Sequence, residues 1–302
     1  MTRRGFILFA ALGLAWGIPY LFIKVAVAEL DPGMLVLARS ALAAVLLLPL
    51  AIFRHEVVPV LRRWRPMLVY TLVEIVIPWG FLSTAEQHLP SSTAGLLLAA
   101  VPLAGVAVAF AIGRPARLSP QNWLGIVVGM LGVAVLVGLD LGGSDLVSVA
   151  EMAAVVVGYA LGPAILSRWM PDVPGVGIVA LSLAGAAIAY IPIVVLTGGW
   201  PAVWPSAPVT VAIIVLAVVC SALAFILMIG LIAEIGPVKA TTITYVNPAV
   251  AILAGVIVLG ERITVWTVVG FGLVLAGSWL VTRRHQQPLT LPDPEGIAGS
   301  GR

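Results

Sequence analysis

Charged residues are what this sequence has least of. Only 10% of its 302 residues are charged, whereas 61% are hydrophobic. A soluble domain carries roughly 25% charged residues, so a soluble fold is excluded. The apolar residues fall into runs of about 20, the length that a helix needs to cross a bilayer, and they do not alternate as barrel strands do. The sequence therefore predicts an all-α polytopic membrane protein.

Cysteine and histidine are also scarce. Cys220 is the single cysteine, so no disulfide can form within the chain, and its apolar setting favours a packing role. The three histidines fall at or beyond the ends of the predicted spans, which argues against a buried metal cluster and an intramembrane enzyme. There is no Walker sequence for ATP. We therefore expect no catalytic residue, metal or cofactor.

Ten apolar spans can be drawn along the chain. Short polar connections separate them, and the chain turns polar and rich in proline and glycine at 284–302, which predicts a disordered cytoplasmic tail. The spans lie at about 5–27, 33–53, 66–87, 91–112, 120–138, 147–168, 174–197, 208–233, 238–259 and 264–282.

Lysine and arginine predict the orientation. With a cytoplasmic N-terminus, all of the 16 except Arg262, Lys24 and Arg39 fall on the inner side. By the positive-inside rule, both termini are expected in the cytoplasm and the chain in the inner or plasma membrane. The basic residues thus serve topology, and nucleic acid is not an expected partner. A cleaved signal peptide is disfavoured because the first run is long and contains Pro19 and Lys24.

The chain repeats itself. Pro102 recurs as Pro248, at an offset of 146 residues, and Gly125 recurs as Gly270, at an offset of 145. Five spans in each copy is an odd number, so the second copy enters the membrane from the opposite side. The sequence therefore predicts two inverted repeats, an architecture typical of transporters, at 5–138 and 147–283.

Four stretches, in order and at repeat spacing, resemble the EamA family of the drug/metabolite transporter superfamily: residues 15–24, 31–39, 85–92 and 245–277. The resemblance implies two five-helix repeats and gradient-driven movement, often export, of small metabolites such as amino acids or drugs. It does not fix the substrate. One departure is visible, because the Leu-Gly-Glu turn that ends at Glu261 occurs in the second copy only.

Aromatic and polar residues in the middle of spans predict the transport path. The first and sixth spans are repeat mates, as are the fourth and ninth, and we expect these helices to face a central cavity. Packing and helix kinks are the alternative for any single residue. The expected lining residues are Trp16, Tyr20, Trp79, Tyr159, Tyr245 and Asn247. The other seven tryptophans lie near span ends, as interface anchors do.

Glu74 lies well inside the third span. An acid at this depth costs about 2.5–3.5 kcal/mol on insertion scales, so it is expected to face water, a partner or substrate. Two interpretations stay open: a site for a proton or a cationic substrate, and a structural hydrogen bond to a neighbouring helix.

Lys24 and Arg39 lie toward the external ends of their spans. Each alone is typical of a side chain that extends to the interface. The functional hypothesis is an outer gate in which these cations pair with Glu86 or Glu151.

Two further features indicate structure rather than chemistry. Glu261 is expected to cap the tenth helix beside Thr264. The glycines at 125–138 and 270–277 indicate close helix packing rather than phosphate loops, because no strand precedes them.

Together these patterns predict a secondary transporter that exports a small amphiphilic metabolite, such as an amino acid, by alternating access with proton coupling. The expected partners are this small molecule, protons and membrane lipid. A drug or nucleotide-sugar transporter, with a wider apolar or a more basic cavity, is one alternative. A non-transporting membrane scaffold is another.

Overall fold

Helices make up the whole regular structure of the part that the computed structural model describes, residues 2–111, 119–140, 146–236 and 240–282. Within these residues ten helices are long and apolar enough to span a membrane, which confirms the predicted count. The predicted tail, 284–302, lies outside the described residues. We number the ten helices α1 to α10: Arg3–Ala26, Pro32–Phe53, Trp64–His88, Ser91–Ala111, Pro120–Gly138, Leu146–Trp169, Gly175–Thr197, Ala207–Ile235, Thr242–Leu259 and Val265–Thr282.

Local signals fix several helix ends. Asp31 Oδ1 accepts a hydrogen bond from the Gly33 backbone N–H, 2.8 Å away, and Pro32 occupies the first turn of α2. Ser119 and Asn122 form a capping box at the start of α5. These groups satisfy backbone N–H groups that a helix leaves unpaired. The starts of α2 and α5 are therefore encoded by nearby residues.

The packing of the helices follows the repeat. Three helices pack on their own repeat mates: α2 on α7, α4 on α9, and α5 on α10. In addition α1 packs on α8, and its mate α6 packs correspondingly on α3. This pattern has the symmetry of two inverted five-helix repeats, as predicted. The helices α1 and α6 each pack mainly on the third helix of the other repeat rather than on one another.

Two kinds of helix break occur in both repeats. A π-helical segment interrupts α3 at Thr71–Val76 and α8 at Val218–Leu223. A 3₁₀ segment occurs in α4 at Leu98–Ala100 and in or just before α9 at Thr241–Tyr245. Single π turns are rare and frequently mark functional sites, because they widen the helix and redirect its side chains. The paired breaks therefore draw attention to the middle of α3 and α8.

The contact between α5 and α10 is made by glycine. A Cβ atom added to Gly277 would meet the backbone of Gly125 and Gly129, and one added to Gly125 would lie 2.8 Å from the Gly277 carbonyl oxygen. The two backbones thus touch, as small residues allow in membranes. The predicted close packing at these glycines is confirmed.

The interior contains two large apolar clusters. One surrounds Tyr20 and Met152, and the other lies between α2 and α7 around Leu183. Tyr159 of α6 packs against both. By contrast, the seven tryptophans expected at the interfaces have exposed side chains: Trp64, Trp123, Trp169, Trp200, Trp204, Trp266 and Trp279.

Candidate functional site

Five polar or aromatic side chains from both repeats meet at the boundary of the two apolar clusters. We call them the polar cluster: Tyr20 of α1, Arg39 of α2, Trp79 and Glu86 of α3, and Tyr159 of α6. Tyr159 is partly buried and the others are buried. Arg39 lies within electrostatic range of Tyr20, Tyr159 and Glu86. Because α6 belongs to the second repeat, the polar cluster bridges the repeats.

Arg39 is held inside the protein. Its guanidinium carbon lies 3.7 Å from the centroid of the Trp79 ring, a cation–π contact. Its Nε donates a hydrogen bond to Ser221 Oγ, 3.0 Å away. Ser221 lies in the π segment of α8, which packs on α2. With 6% of its surface exposed, Arg39 does not extend to the interface.

Glu86 is a buried carboxyl with 0% of its surface exposed. Neither of its carboxyl oxygens has a hydrogen-bond partner among the described residues. Lys24 is near, but its Nζ donates instead to backbone carbonyls at the end of α3, those of Glu86 at 2.7 Å and Leu89 at 3.0 Å. Lys24 therefore stabilises the C-terminus of α3, where cations are favoured.

The salt bridges expected in the outer gate are not formed in this conformation. In the described part of the chain the recorded ion pair joins Arg4 and Glu234. Glu151 lies apart from the polar cluster, in a cavity of about 330 Å³ that it lines with Thr84 and His88. The structure thus brings Arg39 and Glu86 together in the polar cluster, with Lys24 beside it, and leaves Glu151 elsewhere.

The residues expected to line a central cavity separate into two groups. Tyr20, Trp79 and Tyr159 belong to the polar cluster. The other three lie nearer the N-terminal face, the side at which α1 begins. There Trp16 meets the Phe225 ring edge-on at 5.8 Å, and the Tyr245 hydroxyl hydrogen-bonds the Ser278 carbonyl at 3.1 Å. Asn247 Oδ1 is buried without a hydrogen-bond partner in the described residues.

Glu74 lies in the π segment of α3, which packs on α6 and α7. Its carboxyl occupies the space that a side chain at Gly162 of α6 would fill. Its Oε2 is buried and accepts no hydrogen bond within the described residues, so the structural interpretation gains no support from this oxygen. Glu74 lies within electrostatic range of Tyr159. Glu74 is therefore a neighbour of the polar cluster.

Sequence reasoning missed Ser221, Gly162 and the π segments of α3 and α8. Ser221 is an ordinary small polar residue in an apolar run, and Gly162 resembles the many other glycines that pack helices. Their roles depend on residues of another helix. The one signal available was the repeat, because its offset of 146 pairs Glu74 with residue 220, directly beside Ser221.

Glu261 caps α4 rather than α10, which corrects the sequence expectation. Its Oε1 accepts from the Ser91 backbone N–H at 2.7 Å and its Oε2 from that of Ser92 at 3.0 Å. Gly260 has φ +66°, a left-handed conformation that ends α9 and turns the following residue toward the first repeat. Thr264 caps α10 instead, accepting from the Thr267 backbone N–H at 3.0 Å.

Replacing Glu261 by glutamine is expected to lower thermal stability by about 2 °C, since a lost cap costs about 1 kcal/mol. Burial raises the pKa of Glu261, but hydrogen bonds from Ser92 and Ser91 outweigh burial and hold it below its ordinary value. Stability from this carboxylate is therefore present above the ordinary pKa and lost as pH falls through the folded pKa. Melting curves of the wild type and of Glu261→Gln from pH 7 to pH 3 measure this loss of stability. Glu151→Gln is the control, and an equal loss there contradicts the assignment.

Comparison with known sequences and structures agrees with this architecture. Residues 3–138 and 148–283 each match the EamA-like transporter family. The chain is 28% identical over 274 residues to "Uncharacterized inner membrane transporter YedA" of Escherichia coli (strain K12), covering 90% of this chain and 88% of the relative. It is 24% identical over 285 residues to "Uncharacterized transporter YvbV" of Bacillus subtilis (strain 168), covering 94% and 93%. A solved crystal structure aligns with a TM-score of 0.66 at 19% identity, covering 93% of this chain and 97% of that one.

Proposed function

Since the chain belongs to the EamA-like transporter family, we propose that it is a secondary active transporter that exports a small amphiphilic metabolite by alternating access. The polar cluster binds the substrate and Glu74 carries the coupled proton. The protein lies in the inner or plasma membrane with both termini in the cytoplasm, as the distribution of lysine and arginine favours.

One observation carries this proposal: buried, incompletely paired charged groups lie where the two inverted repeats meet. Glu86 has two carboxyl oxygens without a hydrogen-bond partner among the described residues. Arg39 donates one hydrogen bond to Ser221 and stacks on Trp79. Unsatisfied charged groups in a membrane interior are costly and typically functional. A ligand that pairs with them offsets the cost.

The chemistry of the polar cluster favours an amphiphile such as an amino acid. Arg39 suits an anionic group of the substrate, Glu86 suits a cationic group, and the rings of Tyr20, Trp79 and Tyr159 suit an apolar part. A nucleotide sugar would require more positive charge than the single arginine of the cluster. A non-transporting scaffold is disfavoured, because buried carboxyls without partners destabilise a helix bundle.

Glu74 suits proton binding because its carboxyl lies inside the bundle with no cation in ion-pair contact among the described residues. A neutral carboxyl is far cheaper at this position than a carboxylate. Glu74 lies in the π segment of α3, and its carboxyl packs against Gly162 of α6. Protonation of Glu74 therefore acts directly on the contact between α3 and α6.

Transport in proteoliposomes tests the proposal. A panel of labelled amino acids and related amphiphiles is offered with an imposed pH gradient. One pH unit is worth about 1.4 kcal/mol per proton, so a substrate coupled to one proton accumulates up to about tenfold. In Glu74→Gln we expect accumulation to vanish while counterflow of labelled for unlabelled substrate continues.

Two results would count against the proposal. Accumulation that still follows the pH gradient in Glu74→Gln removes Glu74 from coupling. Failure of every substrate in both accumulation and counterflow, with protein that is folded by its melting curve, favours a scaffold instead.

A further inference from the structure

A basic cavity opens on the N-terminal face, where α3 begins and α6 ends. It has a volume of about 520 Å³, and its lining includes Arg63, Arg65 and Arg168. Asp172, in the loop after α6, is the one acid among its lining residues. Three arginines against one aspartate leave the cavity positively charged.

The guanidinium groups of this cavity form no ion pair with a carboxylate of the described residues. None of the three lies within ion-pair distance of a carboxylate, Asp172 included, in the described part of the chain. Arg65 stacks over the Trp64 ring at 5.3 Å instead. Like charges around one cavity repel each other unless an anion lies between them. The fork of an arginine matches two oxygens of a phosphate, so the cavity fits a phosphate-bearing anion.

The surroundings of the cavity are those of a membrane interface. Exposed apolar side chains flank it: Trp64 is 57% exposed, Leu68 52% and Trp169 41%. Tryptophan at helix ends lies at the level of lipid headgroups. A ligand there places its anion on the arginines and its apolar part along α3 and α6. These are the properties of an anionic phospholipid rather than of free phosphate.

The inverted repeat does not by itself require a basic cavity at this position. Its equivalent on the opposite face lies where α8 begins and α1 ends. There Glu29 accepts hydrogen bonds from the Ser206 backbone N–H at 2.9 Å and the Ser206 hydroxyl at 2.6 Å, and these bonds hold the pKa of Glu29 below its ordinary value. The two equivalent places in the fold therefore differ in charge: one holds the carboxylate of Glu29 and the other holds three arginines.

We propose that the basic cavity is a binding site for the phosphate headgroup of an anionic phospholipid. Arg63, directly before α3, and Arg65 of α3 contact the headgroup together with Arg168 of α6, while Trp169 and Leu68 contact the acyl chains. Because α3 and α6 belong to different repeats, the lipid joins the repeats at the N-terminal face. This lipid site does not depend on the transported substrate.

Lipid binding to the full-length protein in neutral detergent tests the site. Phosphatidylglycerol and cardiolipin are titrated against phosphatidylcholine, with the melting temperature and native mass spectrometry as readouts. Each arginine near an anionic surface contributes about a factor of five in affinity. The triple variant R63Q/R65Q/R168Q is therefore expected to bind anionic lipid roughly a hundredfold more weakly. The matched triple R3Q/R54Q/R62Q removes equal charge from the same face outside the cavity, and should bind normally.

A second triple variant distinguishes loss of the lipid site from misfolding. R63K/R65K/R168K keeps the charge that guides membrane insertion but loses the bidentate fork, so we expect affinity between those of the wild type and the glutamine triple. Equal loss in the matched control triple overturns the proposal, because binding is then a property of net charge. Equal binding of phosphatidylcholine overturns it as well. Stabilisation by inorganic phosphate alone, at matched ionic strength, shows a site for a soluble anion and overturns the lipid assignment.

Discussion

Gly277→Leu is expected to prevent α5 and α10 from packing and to remove most of the folded protein. A side chain at Gly277 would meet backbone atoms of Gly125 and Gly129, which cannot rotate away as a side chain can. Overpacking a filled interface costs about 1–3 kcal/mol, and a clash with backbone lies at or above the upper end. We expect a sharp fall in monodisperse protein on size-exclusion chromatography and in the melting temperature of what remains.

The same helix supplies the control. Gly272 is exposed, and a Cβ atom there would meet nothing within 4 Å. Gly272→Leu makes the same chemical change on the outer surface of α10 and should fold normally. If both variants fold equally well, the contact between α5 and α10 is looser than the structure indicates. If both fail, the loss comes from the composition of α10 and not from its packing.

Gly162→Ala is expected to reproduce the coupling defect of Glu74→Gln without removing the acid. The added methyl group would occupy the position of the Glu74 carboxyl, which is the far end of a flexible side chain. The carboxyl therefore moves while the fold survives. Misplacement of a functional group by about 1 Å can cost on the order of a hundredfold in rate. We expect accumulation driven by the pH gradient to fall at least roughly tenfold.

Combining the substitutions tests whether they act at one place. Glu74→Gln with Gly162→Ala should be no worse than Glu74→Gln alone, because residues in contact are not additive. Additive loss would mean that Gly162 acts independently of Glu74. Gly105→Ala, which adds a methyl group where nothing lies within 4 Å, is the matched control and should leave coupling unchanged.

Residues that act through their neighbours in the chain were predicted well. The ten spans, the inverted repeat and the close packing at the glycines of α5 and α10 all follow from runs and spacings in the sequence, although the structure alone shows that these two helices pack on each other. Hydrophobic length leaves little freedom, because a helix in lipid must satisfy its own backbone. The repeat then dictates that α1 with α8 and α6 with α3 form equivalent contacts.

Residues that act across helices were predicted less well. The length and polarity of Glu261 indicated a cap, but its partner is 170 residues away, at Ser91. Lys24 and Arg39 were expected either to extend to the interface or to pair with Glu86 or Glu151, yet Lys24 donates to carbonyls and Arg39 stacks on Trp79. Each alternative partner was compatible with the same sequence. The geometry at the ends and breaks of the helices determines which partner each side chain contacts.

The sequence alone determined that this chain crosses the membrane ten times in two inverted copies, because transfer of apolar runs into lipid depends on composition and length. Tertiary structure alone decided which buried polar groups meet. The π turns of α3 and α8 rotate Glu74 toward Gly162 and Ser221 toward Arg39. The neighbours of a side chain in a helix bundle depend on how its helix is rotated. The spacing of residues along one helix does not reveal that rotation.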